Sequence, residues 1–446
     1  MTFSERLKKA ATGDPGASFI YLNNFEVEAV WGADEPKLPG SGLSFSAVTV
    51  NRMEEVGVLL AEPHDAVVLK ERVDPDYLGY LEGLDAAHGT LLMVDDNTPE
   101  HSVTEDALVS PDLLATLKAL DDGRTYLAPL GISEREERLS RATGLPLAGP
   151  PAEVCRRVNG KIYSRELTED TGLATIPGTA CRTVDELAGA LRLHLGRAGR
   201  VVVKESLGVS GRGMVVLDSP DRAARLVRMI ARRGADAPVR LVVEEWIEKD
   251  YDLNYQFLLA RDGTIGFETV KRALTENGVH RGHAFPPDLP GNAEERLRES
   301  AETIGARLHA EGYFGLVGVD ALMGADGRLH PCLEINARFN MATYQNRFAE
   351  RFVAPGQHAL AGVIDLKPTR RHTFLEVREA LDGLLYDEGS RSGLLVNNFS
   401  TLNAAVAQGR RGQGRLYGIA VADSAAAARD IHLAAEDRLV EMTRKA

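Results

Sequence analysis

Apolar and polar residues along this chain follow two periods. Short apolar runs at Ser18–Leu22, Ala66–Leu69, Thr90–Val94 and Tyr126–Leu130 predict buried strands, and Pro111–Leu120 predicts a helix between the last two. This strand–helix alternation over residues 1–149 predicts a small open parallel α/β sheet. No Gly-x-Gly-x-x-Gly opens a helix there, so a dinucleotide fingerprint is absent. The stretch from Gly144 to Pro151, rich in Gly and Pro, then marks a change of unit. Beyond it, Val184–Leu195, Asp221–Arg232 and Glu294–Glu311 repeat apolar residues at helical spacing; the last carries Leu297, Ala301, Ile304 and Leu308 on one stripe. Near the end, strands are expected at Phe374–Val377, Gly393–Asn397 and Leu416–Val421, followed by a closing helix. The last region thus reads as a small α+β appendage.

A chain of 446 residues exceeds one ordinary core. We expect four units, at 1–149, 150–245, 246–360 and 361–446. With 44% hydrophobic and 26% charged residues the composition is that of a globular protein in water. A net charge of −13 argues against sequence-independent nucleic-acid binding, which needs a basic surface. The apolar runs are strand-length, which predicts no membrane span, and no signal-peptide segment is expected at the start. Cys155, Cys181 and Cys332 have no metal or redox spacing and fit a reducing cytoplasm. Self-association into a homo-oligomer stays open.

The chemistry concentrates in three segments. Val317–Asp320 and Pro331–Arg338 predict a hairpin, with Glu334, Asn336 and Arg338 on one face and Asp320 brought near it. Two carboxylates and an amide oxygen suit Mg²⁺, and an Arg beside them suits an anion or oxyanion. A half-exposed hairpin with a wet side would show the same residues. Val201–Leu217 places a Gly/Ser loop, Gly208 to Gly213 with Ser210 and Gly211, between two strands. A β flap fits better there than a P-loop, which needs a following helix. Ser206 enters the loop, and Lys204 at the strand end could meet a phosphate. Leu241–Ile247 runs an apolar strand into Glu244, Glu245, Trp246 and Ile247, an edge that could wall an adenine, with Asp250 or Asp252 near ribose hydroxyls. Lys271 and Arg272, followed by His280, Arg281 and His283, form a polar segment suited to a zwitterion; a plain surface loop is the competing account.

The ordered set Lys161, Lys204 with its loop, Glu244 to Ile247, Lys271-Arg272, Asp320 and Glu334-Ile-Asn336-Ala-Arg338 resembles the ATP-grasp superfamily over about residues 150–350. The wider pattern is most similar to the pheganomycin-type peptide ligases. The resemblance implies an ATP-grasp fold, two α+β lobes enclosing ATP, behind the N-terminal sheet. It implies ATP phosphates on Lys161 and Lys204 under the flap, adenine at Glu244, Glu245 and Ile247, and Mg²⁺ at Asp320, Glu334 and Asn336. It further implies Arg272 and Arg338 at the reacting carboxylate. The implied activity is an ATP-dependent carboxylate–amine ligase that joins two amino acids, or an amino acid and a peptide, through an acyl phosphate, as in natural-product biosynthesis. Glutamate is one candidate donor. The alternatives are a small-molecule kinase on the same scaffold and a catalytically silent nucleotide-binding protein. Two stretches depart from the family pattern: Phe339-Asn-Met-Ala-Thr343 replaces a small Ser/Gly loop, and Lys249-Asp-Tyr-Asp252 replaces a Gly-x-Glu.

Overall fold

Local sequence punctuation sets several of the helix starts. Thr2/Glu5, Ser102/Glu105, Ser133/Glu136 and Thr183/Glu186 form reciprocal capping boxes that satisfy backbone N–H groups at helix N-termini. A further box, Thr373/Glu376, corrects one expectation: Phe374–Ala380 is a helix, not a strand. Its apolar residues had suggested β structure, but the cap and the helical burial of Phe374 and Val377 decide otherwise. The computed structural model describes residues 1–39, 50–86, 89–208, 213–232, 238–276 and 279–445. Among them, no helix is long and apolar enough to cross a membrane.

Three sheets organise the chain. The first is parallel, in the order β3-β2-β1-β4, from β1 (Ser18–Leu22), β2 (Ala66–Leu69), β3 (Thr90–Met93) and β4 (Thr125–Pro129). The second is antiparallel, in the order β5-β8-β6-β7, from β5 (Gly178–Cys181), β6 (Val201–Glu205), β7 (Met214–Leu217) and β8 (Leu241–Glu245). Helices Val184–Ala198 and Pro220–Ala231 cover one face of it, burying Val201, Val203, Leu241 and Val243 with Leu187, Leu191, Leu226 and Ile230. Strand alternation therefore sends Lys204 and Glu244 to the uncovered face and Glu245 back toward the helices.

The third sheet has eight strands in the order β13-β12-β9-β10-β11-β14-β16-β15. They are β9 (Lys249–Leu259), β10 (Ile265–Glu276), β11 (Val279–Phe285), β12 (Gly315–Gly324), β13 (Leu329–Asn336), β14 (His358–Leu366), β15 (Gly393–Asn398) and β16 (Gly414–Ala422). Leu253, Tyr255, Phe257, Val317 and Val319 are wholly buried on the side packed by helix Ala293–Ala310. The opposite face carries Asn254 and Gln256 of β9, Asp320 of β12, and Glu334 and Asn336 of β13. β14, β15 and β16 extend this sheet beyond β11, so the C-terminal strands share its hydrogen-bond ladder.

One junction admits no side chain. Gly282 of β11 has φ +157, and a Cβ there would lie 1.9 Å from the Ala361 carbonyl oxygen of β14. Gly282→Ala should therefore part β14 from β11 and destabilise the protein by about 3 kcal/mol. Thermal unfolding followed by circular dichroism checks this, and an unchanged midpoint would contradict the close approach.

Candidate functional site

The centre of the site is a register. Asp320 of β12 lies directly opposite Glu334 of β13 and, on its other side, opposite Asn254 of β9. Asn336, two residues beyond Glu334, shares their face. Asn254 Nδ2 donates to Asp320 Oδ1 at 2.7 Å, and Asn336 Nδ2 donates to Asp320 Oδ2 at 3.1 Å. Burial, then repulsion from Glu334, pushes the Asp320 carboxyl up to about 6.

Cations from the second lobe approach this face. Lys161 opens helix Lys161–Thr171, and its Nζ donates to Glu334 Oε1 at 2.6 Å and to the Gly208 carbonyl at 3.0 Å. One ammonium thus bridges the entry of the glycine loop and the acidic pair. Lys204 Nζ donates to Glu244 Oε2 at 2.5 Å. Burial pulls the Lys204 pKa down, but the Glu244 carboxylate, aided by Glu334, outweighs it and leaves the ammonium raised. Arg165 stands 3.7 Å from Glu244 Oε1 and adds a third cation.

The oxygen donors fit a hard divalent cation. Asp320, Glu334 and Asn336 converge, and Asn254 Oδ1 is buried with no hydrogen-bond partner among the described residues. Among the described residues, no group of three or more His, Cys, Asp or Glu gathers into a metal cage. That set suits Mg²⁺, which takes one or two carboxylates and fills its remaining positions from water and phosphate.

The other expected residues are distributed unevenly. Ser206 is fully buried; its carbonyl accepts the Lys161 N–H at 2.9 Å, and its hydroxyl has no partner among the described residues. Gly213 has φ +71, and a Cβ there would meet Glu205 Oε2 at 2.7 Å. Ser210 and Gly211 lie outside the described residues. Glu245 turns to the helix side, where its Oε1 is 3.0 Å from His194 Nδ1. Trp246 is likewise engaged: Arg200 stacks 4.2 Å from its ring, and the Trp246 N–H donates to the Arg200 carbonyl at 2.9 Å. Ile247 is half-buried at the crossing from β8 to β9. Asp252 Oδ2 accepts from Thr275 Oγ1 at 2.7 Å and from Lys249.

Lys271 and Arg272 part company because they are adjacent on one strand. Lys271 is buried opposite Asn254 and donates to the Ala342 carbonyl and Asn346 Oδ1, both at 2.7 Å. Burial lowers its pKa well below the usual lysine value. Arg272 points to the other face, where its guanidinium lies 4.8 Å from the Tyr251 ring. It therefore does not join the carboxylate cluster. His280 and His283 stand together, with their Nε2 atoms 3.2 Å apart, and Gln345 Nε2 lies 3.2 Å from His283 Nδ1. Burial lowers His280 to about 4 and, with help from His280 and Lys271, holds His283 well below the usual imidazole value. Arg281 lies at the surface, held by Glu276 at 2.9 Å and Asp365 at 2.6 Å.

Arg338 reaches Asn336, where its Nη2 donates to Oδ1 at 2.8 Å, and it also meets an unexpected residue. Glu28, from the N-terminal helix Val27–Trp31, accepts from Arg338 Nε at 2.8 Å and also from Nη2. Nothing local in the sequence singles out Glu28, which lies far from Arg338 along the chain. Asn254 was also missed, although the alternation Asp252-x-Asn254-x-Gln256 marked a polar strand face.

A family model described as the Pre ATP-grasp domain matches residues 53–145. The chain is 26% identical over 298 residues to the [Butirosin acyl-carrier protein]--L-glutamate ligase of Niallia circulans, covering 66% of each chain. It is 26% identical over 233 residues to the formate-dependent phosphoribosylglycinamide formyltransferase of Mycolicibacterium vanbaalenii, covering 50% of this chain and 57% of that one. The matches thus span about two thirds or less of these relatives. Among solved structures, N5-carboxyaminoimidazole ribonucleotide synthetase with ADP superposes with a TM-score of 0.54 at 12% identity, over 95% of this chain and 98% of that one. Biotin carboxylase of Campylobacter jejuni superposes with a TM-score of 0.54 at 14% identity, over 89% and 93%. These likenesses carry the fold.

The paired carboxylates predict a stability cost in the ligand-free protein. Asp320 has a folded pKa of about 6 against an ordinary 3.8, so ionisation opposes folding. That cost is absent below the unfolded value, grows as pH rises between the two, and is complete above the folded one. Asp320→Asn should stabilise the protein by about 1–2 kcal/mol at neutral pH, with the gain fading as the solution is acidified. Thermal melts across this pH range read it; a gain that grew on acidification would contradict the assignment.

Proposed function

We propose that this chain, which belongs to the ATP-grasp carboxylate–amine ligase superfamily, couples a carboxylic acid to the amine of an amino acid with hydrolysis of ATP to ADP and phosphate. The observation that carries the reading is the Asp320–Glu334 register with Lys161 bound to Glu334 and the Gly208 carbonyl. Carboxamide and carboxylate oxygens lie on one lobe, and lysines beside a glycine loop come from the other. A magnesium triphosphate is the ligand class with charge to match both.

A carboxylate is a poor acylating agent because oxide would have to leave. ATP supplies the activation by transferring its γ-phosphoryl group to that carboxylate, so that phosphate becomes the leaving group. Asp320, Glu334 and Asn336 would hold Mg²⁺, which would supply Lewis-acid neutralisation of phosphate charge. The chain's own groups do the rest. Lys161 and Lys204 present ammonium groups to phosphate oxygens, exchanging Glu334 and Glu244 for the ligand. Residues Ile247 and Asp252, where β8 crosses to β9, line the nucleoside end. Water would hydrolyse the activated acid, so the chemistry requires a cover, the role proposed for the Gly208 to Gly213 segment, of which residues 209–212 lie outside the described ones.

Lys271 is the residue we assign to the substrate acid. Two of its three N–H donors are used by Ala342 and Asn346, and no carboxylate pairs with it among the described residues. His280 and His283, kept neutral by burial, offer ring nitrogens that can accept a hydrogen bond from the attacking amine. The relative whose name specifies L-glutamate supports glutamate as one reactant. Arg272 and Arg281 have no part in this scheme, because one stacks on Tyr251 and the other is held by acids at the surface.

The decisive assay measures ADP release from Mg²⁺–ATP with pairs of amino acids, glutamate included, and identifies products by mass spectrometry. An amide with the mass of both reactants less water is expected. A stable phosphorylated product formed without any amine would convert the reading to a kinase, and nucleotide binding without turnover across the panel would remove catalysis from it. Glu334→Gln and Lys204→Met should each lower turnover by at least about 100-fold, as loss of charge-stabilising contacts does. Unchanged circular dichroism would separate that loss from unfolding.

A further inference from the structure

We propose that Glu28 is a positioning residue of the ligase site: through Arg338 and Asn336 it couples the N-terminal parallel-sheet region to the Asp320–Glu334 face. The inference rests on the nucleotide-site reading above. It starts from a count of donors. A guanidinium has five N–H groups. Arg338 Nε donates to Glu28 Oε1 at 2.8 Å, Nη2 donates to the same oxygen and to Asn336 Oδ1 at 2.8 Å, and Nη1 donates to the Phe339 carbonyl at 2.8 Å. These contacts use four of the five. No parallel pair of donors remains to grip a substrate carboxylate in two-point fashion.

The guanidinium instead orients its neighbour. With Oδ1 held by Arg338, Asn336 turns its Nδ2 to Asp320 Oδ2 at 3.1 Å. Asp320 is held from the other side by Asn254 at 2.7 Å. A continuous chain of hydrogen bonds therefore runs Glu28, Arg338, Asn336, Asp320, Asn254. Both Glu28 and Arg338 have side chains only 12% exposed, so water screens the pair weakly.

The helix carrying Glu28 is fixed to the strand-exit loop of the parallel sheet. Trp31 Nε1 donates to the Ile132 carbonyl at 2.9 Å, and Asn24 Nδ2 donates to the Gly131 carbonyl at 2.8 Å. The Phe339 N–H donates to the Leu130 carbonyl of the same loop at 2.9 Å. The loop thus holds Glu28 and the backbone beside Arg338 in one frame. Displacing the N-terminal region would pull on Arg338 and free Asn336 to rotate.

The test uses the full chain and calorimetric titration with ADP, once with Mg²⁺ and once with EDTA, alongside steady-state ADP release. Glu28→Gln keeps the shape and removes the charge. It should leave metal-free ADP affinity within twofold of the native protein, shrink the Mg²⁺-dependent gain in affinity at least fivefold, and lower kcat at least tenfold. Glu28→Asp, which keeps the charge but withdraws it by one methylene, should show the same pattern to a smaller degree and stands in if the Gln variant does not fold. A purely structural ion pair predicts a lower melting temperature with the Mg²⁺-dependent gain and kcat both within twofold, and that result overturns the inference. Native protein that binds ADP no better with Mg²⁺ than without would instead overturn the site reading on which it rests.

Discussion

Two carboxylates set side by side on neighbouring strands repel each other, and the rest of this site is arranged around that repulsion. Asp320 and Glu334 are cross-strand partners in β12 and β13, so no side-chain rotation can take them far apart. Each acid is held differently. Asp320 receives amide hydrogens from Asn254 and Asn336, whereas Glu334 receives the Lys161 ammonium. The arrangement is poised for added positive charge. A divalent cation with bound phosphate would relieve the repulsion and give the lysines a new anion.

Strand alternation distributes the remaining chemistry. Lys204 and Glu244 face the open side of their sheet because Val203 and Val243 face the helices. The same rule turns Glu245 toward His194 and separates Lys271 from Arg272. Adjacent polar residues on a strand cannot both enter one site unless a bulge intervenes, and no bulge falls between these pairs. The buried face beyond Lys271 is built from amides and imidazoles, with Asn346, Gln256, Gln345 and His283 hydrogen-bonded in place. Such a surface can order a small polar substrate without adding charge to the acidic cluster.

The parallel sheet and the eight-stranded sheet meet along the segment after β13. Arg338 reaches Glu28, the Phe339 N–H reaches Leu130, Tyr344 donates to Asn23 Oδ1 at 2.7 Å, and Arg347 donates to the Leu59 carbonyl at 2.8 Å. Phe339 to Thr343 therefore lies at the seam between the N-terminal sheet and the face that carries Asp320 and Glu334.

The amino-acid sequence by itself determined the strands of the parallel sheet, the β12–β13 hairpin and the alternation that puts Glu334 and Asn336 on one face. Those features depend on neighbours a few residues apart, where period and turn chemistry act directly. It misled at Phe374–Val377, where apolar residues outweighed a Thr373/Glu376 capping box in the reading. Only the tertiary structure decided that Glu28 meets Arg338, that Lys161 bridges Glu334 and the Gly208 carbonyl, and that Arg281 is held at the surface by Asp365. Each of these contacts joins residues that lie far apart along the chain. Its existence depends on which strands pair and how the sheets and helices pack, and local periodicity carries no information about either.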